Sequence, residues 1–244
     1  MFRIVIPGGP AEEYVERCLD SLVGQSERDW RAQVVLDPVG DRTYEKALRY
    51  RSDRIAVVRN DEPACALANI VKGVDLLGCA DDDVVVTVDA DDWLRHADAL
   101  AIVRSYYERF PQTLVTHGSW VFYPGYRDGT NNRPYLPYEF ETGLRRHVFK
   151  GSHLRTMKYK VFRRIRDEDL RDRNGRYFRS AGDMAITFPA LEMAGPSRVT
   201  FVAERIYVYN RETPYGEMRL RAREQRAMGL EICLKRPYPV CGEI

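Results

Sequence analysis

Three aspartates follow an apolar run in the stretch VVVTVDADDW, residues 84–93. Asp89, Asp91 and Asp92 repel one another unless a positive charge lies among them. Two carboxylates one residue apart are typical ligands of a hard divalent cation that keeps its other positions for water and phosphate oxygens. Asp89 and Asp91 are therefore candidate ligands of Mn²⁺ or Mg²⁺ beside a nucleotide diphosphate. The alternative is a solvated turn, and for Asp92 alone we expect capping of the next helix.

Polar residues also end the two neighbouring apolar segments. Asp37 follows RAQVVL, and Arg59 and Asn60 follow IAVV. In open parallel sheets, ligands bind beyond the carboxyl ends of the strands. If these segments are parallel strands, their polar ends gather on one edge of the sheet, which favours a ligand site over a single solvated turn.

The elements that must position these residues alternate between strand and helix. Strands are predicted at FRIVIP, RAQVVLDP, DRIAVVRND and DVVVTVDADD, and apolar residues at helical spacing predict helices between and after them. This alternation predicts an α/β fold with a mostly parallel sheet covered by helices on both faces. A loop-rich stretch, 123–143, a basic segment, a short helix from about 183, a strand near 199–209 and a charged C-terminal helix follow. We expect two functional halves, 1–118 and 119–244, within one continuous domain.

Composition narrows the class of protein. The chain has 244 residues, 44% of them hydrophobic, and a net charge of +2, so no global field favours nucleic acid. Its five widely spaced cysteines include no Cys-x-x-Cys pair, which argues against a disulfide framework and a zinc site. No apolar run approaches the ~20 residues of a membrane span, and the first residues lack a signal-peptide layout. We expect a soluble, cytoplasmic protein.

Several motifs, taken in order, resemble a known family. The segments IVIPGGPAEEYVERCLDSLVGQ, the acidic strand end at Asp37, ACALANIVKGV and VTVDADDWL are similar to the nucleotide-binding half of family 2 glycosyltransferases with the GT-A fold. The resemblance covers about the first 118 residues well and the remainder weakly. It implies a Rossmann-like sheet with a smaller acceptor-side region.

The resemblance also implies a role for residues of the donor side. Asp37 would contact the base or ribose of a sugar nucleotide, Asp89 would lie against the ribose and diphosphate, and Asp91 would hold the metal. The backbone of Pro7 and Gly8 would border the nucleotide, although a plain strand-to-helix turn also explains the glycine. The remaining expected donor-side residues are Asn60 and Asn69.

An inverting sugar transfer needs a base that takes the proton of the acceptor hydroxyl. In the family this base opens a helix, usually in a Glu-Asp pair, and Gly182-Asp183 stands at the matching place. Asp183 is therefore the candidate catalytic base, and N-capping of the helix is the alternative. Glu168, Asp169 and Glu192 are the fallback candidates.

Residues 145–166 contain nine Lys or Arg and no acid. Three interpretations of this basic segment are open: a solvated face, a patch for nucleic acid or anionic membrane, and a surface for a diphosphate or an anionic acceptor. Because the segment aligns loosely with the family's acceptor side, we expect His153 and Lys158 to contact the acceptor. Attraction to anionic headgroups would suit a lipid-linked acceptor and a peripheral membrane contact.

The stretch RIYVYNRETPYG resembles the family's closing strand and the loop after it. Arg211 would reach the donor phosphates when that loop closes, or would lie in water. With no Gln-x-x-Arg-Trp box, a processive synthase is not expected.

We therefore expect a metal-dependent glycosyltransferase that moves one sugar from a nucleotide-diphosphate donor, with UDP-sugars favoured, to a hydroxyl of a glycan or glycolipid acceptor. A nucleotidyltransferase on the same fold and a non-enzymatic basic module that binds anionic glycan or nucleic acid are the alternatives. The donor base, the acceptor and the oligomeric state are not predicted.

Overall fold

One mixed sheet organises the protein. The computed structural model describes residues 1–214 and 222–242, and in these residues eight strands form a sheet in the order β3-β2-β1-β4-β7-β6-β8-β5. The strands are β1 (Phe2–Gly8), β2 (Trp30–Leu36), β3 (Ile55–Arg59), β4 (Val84–Thr87), β5 (Trp93–Leu94), β6 (Val115–Tyr123), β7 (Thr156–Lys158) and β8 (Val199–Asn210).

The first four strands run parallel, as predicted. Phe2 lies opposite Trp30 on β2 and opposite Val84 on β4, and β2 pairs with β3 in the same sense. Their carboxyl ends therefore share one edge of the sheet. The short β7 is antiparallel to both β4 and β6, and β6 runs parallel to β8. The predicted α/β class with a mostly parallel sheet is confirmed.

Helices cover both faces of the sheet. They are α1 (Val15–Val23), α2 (Thr43–Leu48), α3 (Ala66–Leu77), α4 (Ala99–Arg109), α5 (Pro137–Glu141), α6 (Tyr159–Phe162), α7 (Gly182–Ala194) and α8 (Ala222–Leu234). Short 3-10 turns lie at Leu144–Arg146, Asp167–Leu170 and Pro196–Arg198. The sequence did not predict α2, because only Thr43 and Ala47 of its six residues are buried. The helix expected to be short near 183 is α7, which has 13 residues.

Successive residues of the central strands enter two separate cores. On β1, Ile4 and Ile6 pack with α1 and α4, whereas Val5 packs with α3 and α7. This arrangement explains why the central strands are continuous apolar runs without polar alternation. Helix α3 lies so close to the sheet that a Cβ on Gly73 would be 2.4 Å from Cγ1 of Val5.

The expected boundary between the two halves, residue 118, lies inside β6. Both halves thus contribute strands to the same sheet, and β7 joins them by pairing with β4 on one side and β6 on the other. Within the described residues, no helix combines the length and the apolarity that a bilayer crossing requires.

Candidate active site

A cavity of about 530 Å³ opens at the edge where the parallel strands end. Its walls come from both halves of the chain. The first half contributes Pro7, Gly8, Gly9, Asp37, Ala64, Cys65, Asn69, Asp89, Asp91 and Asp92 to the lining, among others. The second half contributes His153, Arg155, Phe178, Arg179, Gly182, Asp183, Tyr209 and Gln225, among others. Most of the residues singled out in the sequence therefore meet in one place.

Asp37 is held at the cavity by a network of amides. The side chains of Asn60 and Asn69 donate to Oδ1 of Asp37 at 2.9 and 3.0 Å, and the backbone N–H of Ala64 donates to the same oxygen at 3.0 Å. Nδ2 of Asn60 also donates to Oδ1 of Asn69 at 2.7 Å. Asn60 is not among the lining residues, so it acts on the cavity by positioning Asp37 and Asn69.

Gly8 is required by close packing. A Cβ at this position would be 2.6 Å from Cβ of Ala90 and 2.7 Å from Cδ2 of Leu36, closer than real Cβ atoms approach. Gly9 meets nothing within 4 Å. The turn after β1 is thus pressed against the acidic segment through Gly8, while Pro7 and both glycines line the cavity.

Asp92 is not the solvated helix cap that we expected. It is 1% exposed, and helix α4 begins only at Ala99. The hydroxyl of Tyr207 donates to Oδ2 of Asp92 at 2.7 Å, and the backbone N–H of Asn210 donates to Oδ1 at 2.8 Å. The expectation failed because β5 begins directly after Asp92 and pairs with β8, which buries the turn.

Burial and neighbouring charges raise the pKa of Asp89 and Asp92, two members of the acidic cluster formed by Asp89, Asp91 and Asp92. Burial, with help from the charges of Asp91 and Asp183, raises the pKa of Asp89 to about 6, although Arg155 acts in the opposite direction. Burial, followed by the charges of Asp91 and Asp89, also holds the pKa of Asp92 well above its ordinary value. A cation in the cluster would relieve this cost.

The cluster offers a ligand set that fits a divalent ion. One ligand atom each of Asp89, Asp92 and His153 lie within 4.8 Å of one another. Within the described residues, Nδ1 of His153 is buried and has no hydrogen-bond partner. Burial lowers the pKa of His153 well below its ordinary value, so the imidazole is neutral, as a metal ligand must be. The expected pair was Asp89 and Asp91; Asp91 lines the cavity beside this set.

Asp183 lies in the first turn of α7 and faces the cavity. It does not cap the helix, because Ala181 occupies the N-cap position with φ of 57°. Its Oδ2 accepts a hydrogen bond from Nη1 of Arg155 at 3.2 Å. A Cβ on Gly182 would be 2.9 Å from Cβ of Leu67 on α3. This contact explains why a glycine stands where the family usually has glutamate.

The three fallback acids do not line the cavity. Glu192 accepts two hydrogen bonds from Arg145, at 2.7 Å each. Asp169 is bonded to Arg166 at 2.8 Å, and Glu168 lies 3.5 Å from the same arginine. All three therefore take part in ion pairs away from the site.

The structure brings two further expected residues to other places. Lys158 lies opposite Val84, the first residue of β4, and thus at the end of that strand opposite to Asp89. Arg211 follows β8, where its guanidinium lies 4.8 Å from the centre of the Phe122 ring. Neither residue is among those lining the cavity. Most of the loop expected to carry Arg211 over the donor, residues 215–221, lies outside the described residues.

Several cations of the basic segment 145–166 form ion pairs with acidic residues of the same chain. Arg145 pairs with Glu192, Lys150 with Glu139, Lys160 with Asp82 and Arg163 with Asp81, at distances from 2.6 to 2.9 Å. These pairs disfavour the interpretation of the segment as one continuous face for an anionic partner.

Sequence reasoning missed several lining residues of the second half. Arg155, Arg179 and Gln225 line the cavity. Arg155 lies within the basic segment, but composition alone does not separate it from the eight other cations there. The antiparallel pairing of β7 with β4 is what brings it to the site, and no local pattern predicts that pairing.

Comparisons with known proteins agree with this geometry. The sequence profile described as "Glycosyl transferase family 2" matches residues 4–171, more than half of the chain. Among curated protein sequences, no relative matches the chain.

Solved structures with the same fold include TarS of S. aureus, with a TM-score of 0.67 and 15% identity over 86% of this chain and 36% of that one. The structure of TarS residues 1–349 in complex with UDP-GlcNAc has a TM-score of 0.65 and 16% identity, and the match covers 97% of this chain and 68% of that one. The mannosyltransferase PcManGT from Pyrobaculum calidifontis, in complex with GDP-Man and Mn²⁺, has a TM-score of 0.59 and 18% identity, and the match covers 94% of this chain and 62% of that one.

The chain thus spans about a third of the longer TarS chain. At these identities the solved structures establish the fold alone, which is that of the GT-A glycosyltransferases. The profile match, which includes β1 to β4 and the acidic cluster, establishes the family. The chain belongs to family 2 of the glycosyltransferases.

Proposed function

We propose that this glycosyltransferase uses a nucleoside diphosphate sugar, with UDP-sugars favoured, and transfers one sugar with inversion to a hydroxyl of a glycan or glycolipid acceptor. The observation that carries the proposal is that one cavity is lined both by the acidic cluster and by Asp183. The sugar nucleotides bound by TarS and PcManGT support the donor class. In this proposal residues 1–118 provide most of the donor site, and residues 119–244 bind the acceptor, provide the catalytic base and add His153 to the metal site.

On the donor side, Asp37 would accept hydrogen bonds from the base or ribose. The three amide donors around it converge on Oδ1, and they orient the carboxylate. The close packing of Gly8 against Ala90 keeps the turn after β1 beside the acidic cluster, so that a nucleotide in the cavity would contact both.

A divalent ion, Mn²⁺ or Mg²⁺, would be held by Asp89, Asp92 and His153, with Asp91 at its side. When bound, it would act as a Lewis acid on the departing diphosphate. Tyr207 and Asn210 fix the orientation of Asp92 for this task, as outer hydrogen bonds commonly do for metal ligands. The PcManGT complex contains Mn²⁺, which supports the choice of ion.

Asp183 would act as the base. Its position in the first turn of α7 places its carboxylate near the positive end of the helix dipole. It would accept the proton of the acceptor hydroxyl while the oxygen attacks the anomeric carbon. The bond from that carbon to the diphosphate oxygen breaks, and its electron pair leaves with the nucleoside diphosphate.

A thermal-shift panel tests the donor class. UDP, GDP, dTDP and CDP are each added with and without Mn²⁺ to wild type, Asp91→Ala and the exposed control Asp53→Ala. We expect one nucleotide to stabilise the wild type and Asp53→Ala only with metal, by about 2.7 kcal/mol at a hundred times its dissociation constant. Asp91→Ala should lose the response. A well-folded wild type that no nucleotide stabilises would exclude the proposed donor class.

A further inference from the structure

Arg155 is a buried arginine whose side chain lines the cavity. It is 9% exposed. Within the described residues it donates one hydrogen bond to a protein group, from Nη1 to Oδ2 of Asp183 at 3.2 Å. A guanidinium carries five N–H donors, and buried donors are nearly always bonded. Within the described residues, no Arg155 nitrogen is both fully buried and without a partner, and the side chain lines the cavity, so its other N–H groups are open to a ligand there.

Arg145 provides the contrast, because it is also 9% exposed. It donates to both carboxylate oxygens of Glu192 at 2.7 Å each. It also donates to the backbone carbonyls of Ile232 and Lys235, at 2.8 and 3.4 Å. Protein groups thus explain the burial of Arg145, whereas they do not explain the burial of Arg155.

The backbone around Arg155 fixes the direction of its side chain. Leu154 and Thr156, on either side, are 0% exposed. Thr156 lies opposite Val86 in the pairing of β7 with β4, so the chain at Arg155 runs alongside the end of β4, just before Asp89. The guanidinium is therefore held between the acidic cluster and Asp183.

The further inference rests on the proposed function. We infer that Arg155 changes partners when the donor binds: it holds Asp183 in the donor-free enzyme, and it binds the diphosphate of the donor in the complex. Asp183 is then released to act as the base only when a donor is in place.

The chemistry of the two anions supports this exchange. A guanidinium binds phosphate oxygens through two parallel hydrogen bonds, and the diphosphate carries more charge than the single carboxylate of Asp183. In the reaction, the acceptor proton passes to Asp183, the new C–O bond forms, and the electron pair of the broken bond leaves with the diphosphate. Arg155 would stabilise that leaving group as its charge grows.

The first experiment measures nucleotide affinity by calorimetry in the presence of Mn²⁺. The probes are UDP, GDP, uridine and guanosine, and the proteins are wild type, Arg155→Gln, Arg155→Lys and the exposed control Arg164→Gln. We expect Arg155→Gln to weaken diphosphate binding by about tenfold to a hundredfold, the range for a hydrogen bond to a charged group. Nucleoside binding should not change, and Arg164→Gln should bind like wild type.

The second experiment tests the exchange itself with a double-mutant cycle. If Asp183 competes with the diphosphate for Arg155, Asp183→Asn should bind the diphosphate more tightly than wild type. In the Arg155→Gln background the same substitution should have a much smaller effect, because the shared partner is gone.

The outcomes separate this inference from the proposed function. A wild type that binds no nucleoside diphosphate would overturn both. A wild type that binds, with a folded Arg155→Gln that binds equally well, would overturn the inference alone. If Arg155→Gln does not fold, Arg155→Lys is the test variant, because lysine keeps the charge but cannot make two parallel hydrogen bonds to a phosphate. An unchanged affinity of Arg155→Lys for the diphosphate would refute the contact between Arg155 and the diphosphate. An Asp183→Asn variant that binds the diphosphate no more tightly would refute the exchange.

Discussion

The two sides of the cavity are built in different ways. The side formed by residues 1–118 consists mostly of residues near the ends of parallel strands, and Asp37 and Asp89 are placed by the ends of β2 and β4, which lie on either side of β1 in the sheet. The other side is assembled from short segments that are distant in sequence, including Arg155 before β7 and Asp183 on α7. A strand end fixes its residue through regular pairing, whereas the other side of the cavity depends on specific packing contacts. The predictions below test this difference.

The largest effect is expected on the side formed by the second half of the chain, from Asp183→Asn. Loss of a general base typically lowers the rate by 10² to 10⁴, so we expect about a thousandfold slower release of nucleoside diphosphate from the sugar nucleotide, to acceptor or to water. Nucleotide affinity should not fall, because Asp183 would not bind the donor. Asp169→Asn, which changes an acid outside the cavity, is the control. Equal loss in both variants would remove the catalytic assignment.

Acid should also act on a buried histidine of β6, close to the boundary between the two halves. Burial lowers the pKa of His117 on β6 to about 4. The unfolded chain, with an ordinary His pKa near 6.5, binds the proton first, so stability falls as the pH drops from about 6.5 to 4. The expected loss is about 3 kcal/mol. Denaturant titrations of wild type and His117→Phe across this range would measure it. If the stability of His117→Phe depends on pH as that of the wild type does, groups other than His117 cause the loss of stability.

A packing change on the donor side should have a smaller effect. Gly8→Ala places a methyl group 2.6 Å from Cβ of Ala90, and we expect about 2 kcal/mol of lost stability together with weaker nucleotide binding. Gly9→Ala, where nothing lies within 4 Å, is the matched control and should behave like wild type. Thermal unfolding with and without nucleotide measures both effects. Identical behaviour of the two variants would show that the turn adapts.

The smallest effect concerns the orientation of Asp37. Asn69→Ala removes one of the donors to Oδ1 of Asp37, so we expect about a tenfold loss of nucleotide affinity. Asn60→Ala should act in the same direction although Asn60 is not a lining residue, because it donates to both Asp37 and Asn69. Calorimetry would measure both. If only Asn69→Ala weakens binding, Asn60 has no positioning role.

Sequence reasoning succeeded where regular secondary structure determines position. The apolar runs predicted β1 to β4, and the rule that parallel strands end on one edge predicted that Asp37 and Asp89 would meet. The prediction that Asp92 would cap a helix was wrong because the residues that bury it and bond to it are distant in sequence. Its partners, Tyr207 and Asn210, are 115 and 118 positions distant, and nothing near Asp92 indicates them.

The same limit explains the errors in the second half. The expectation for Lys158 relied on a loose alignment, but the register of β7 against β4 places Arg155 beside the acidic cluster and Lys158 at the opposite end. A shift of three residues along a strand spans about 10 Å, which is enough to remove a side chain from the site. Strand register across the two halves is a property of tertiary packing, and single-sequence patterns do not contain it.

The anchoring of Asp92 by β8 has a consequence for protein engineering. A chimaera joined near residue 118 would pair the acidic turn of one enzyme with the β8 of another. Unless the incoming strand supplies a hydroxyl and a backbone N–H at the positions of Tyr207 and Asn210, Asp92 would be buried without partners. The halves are therefore not interchangeable modules, and a workable exchange of acceptor regions in this enzyme must retain the end of β8.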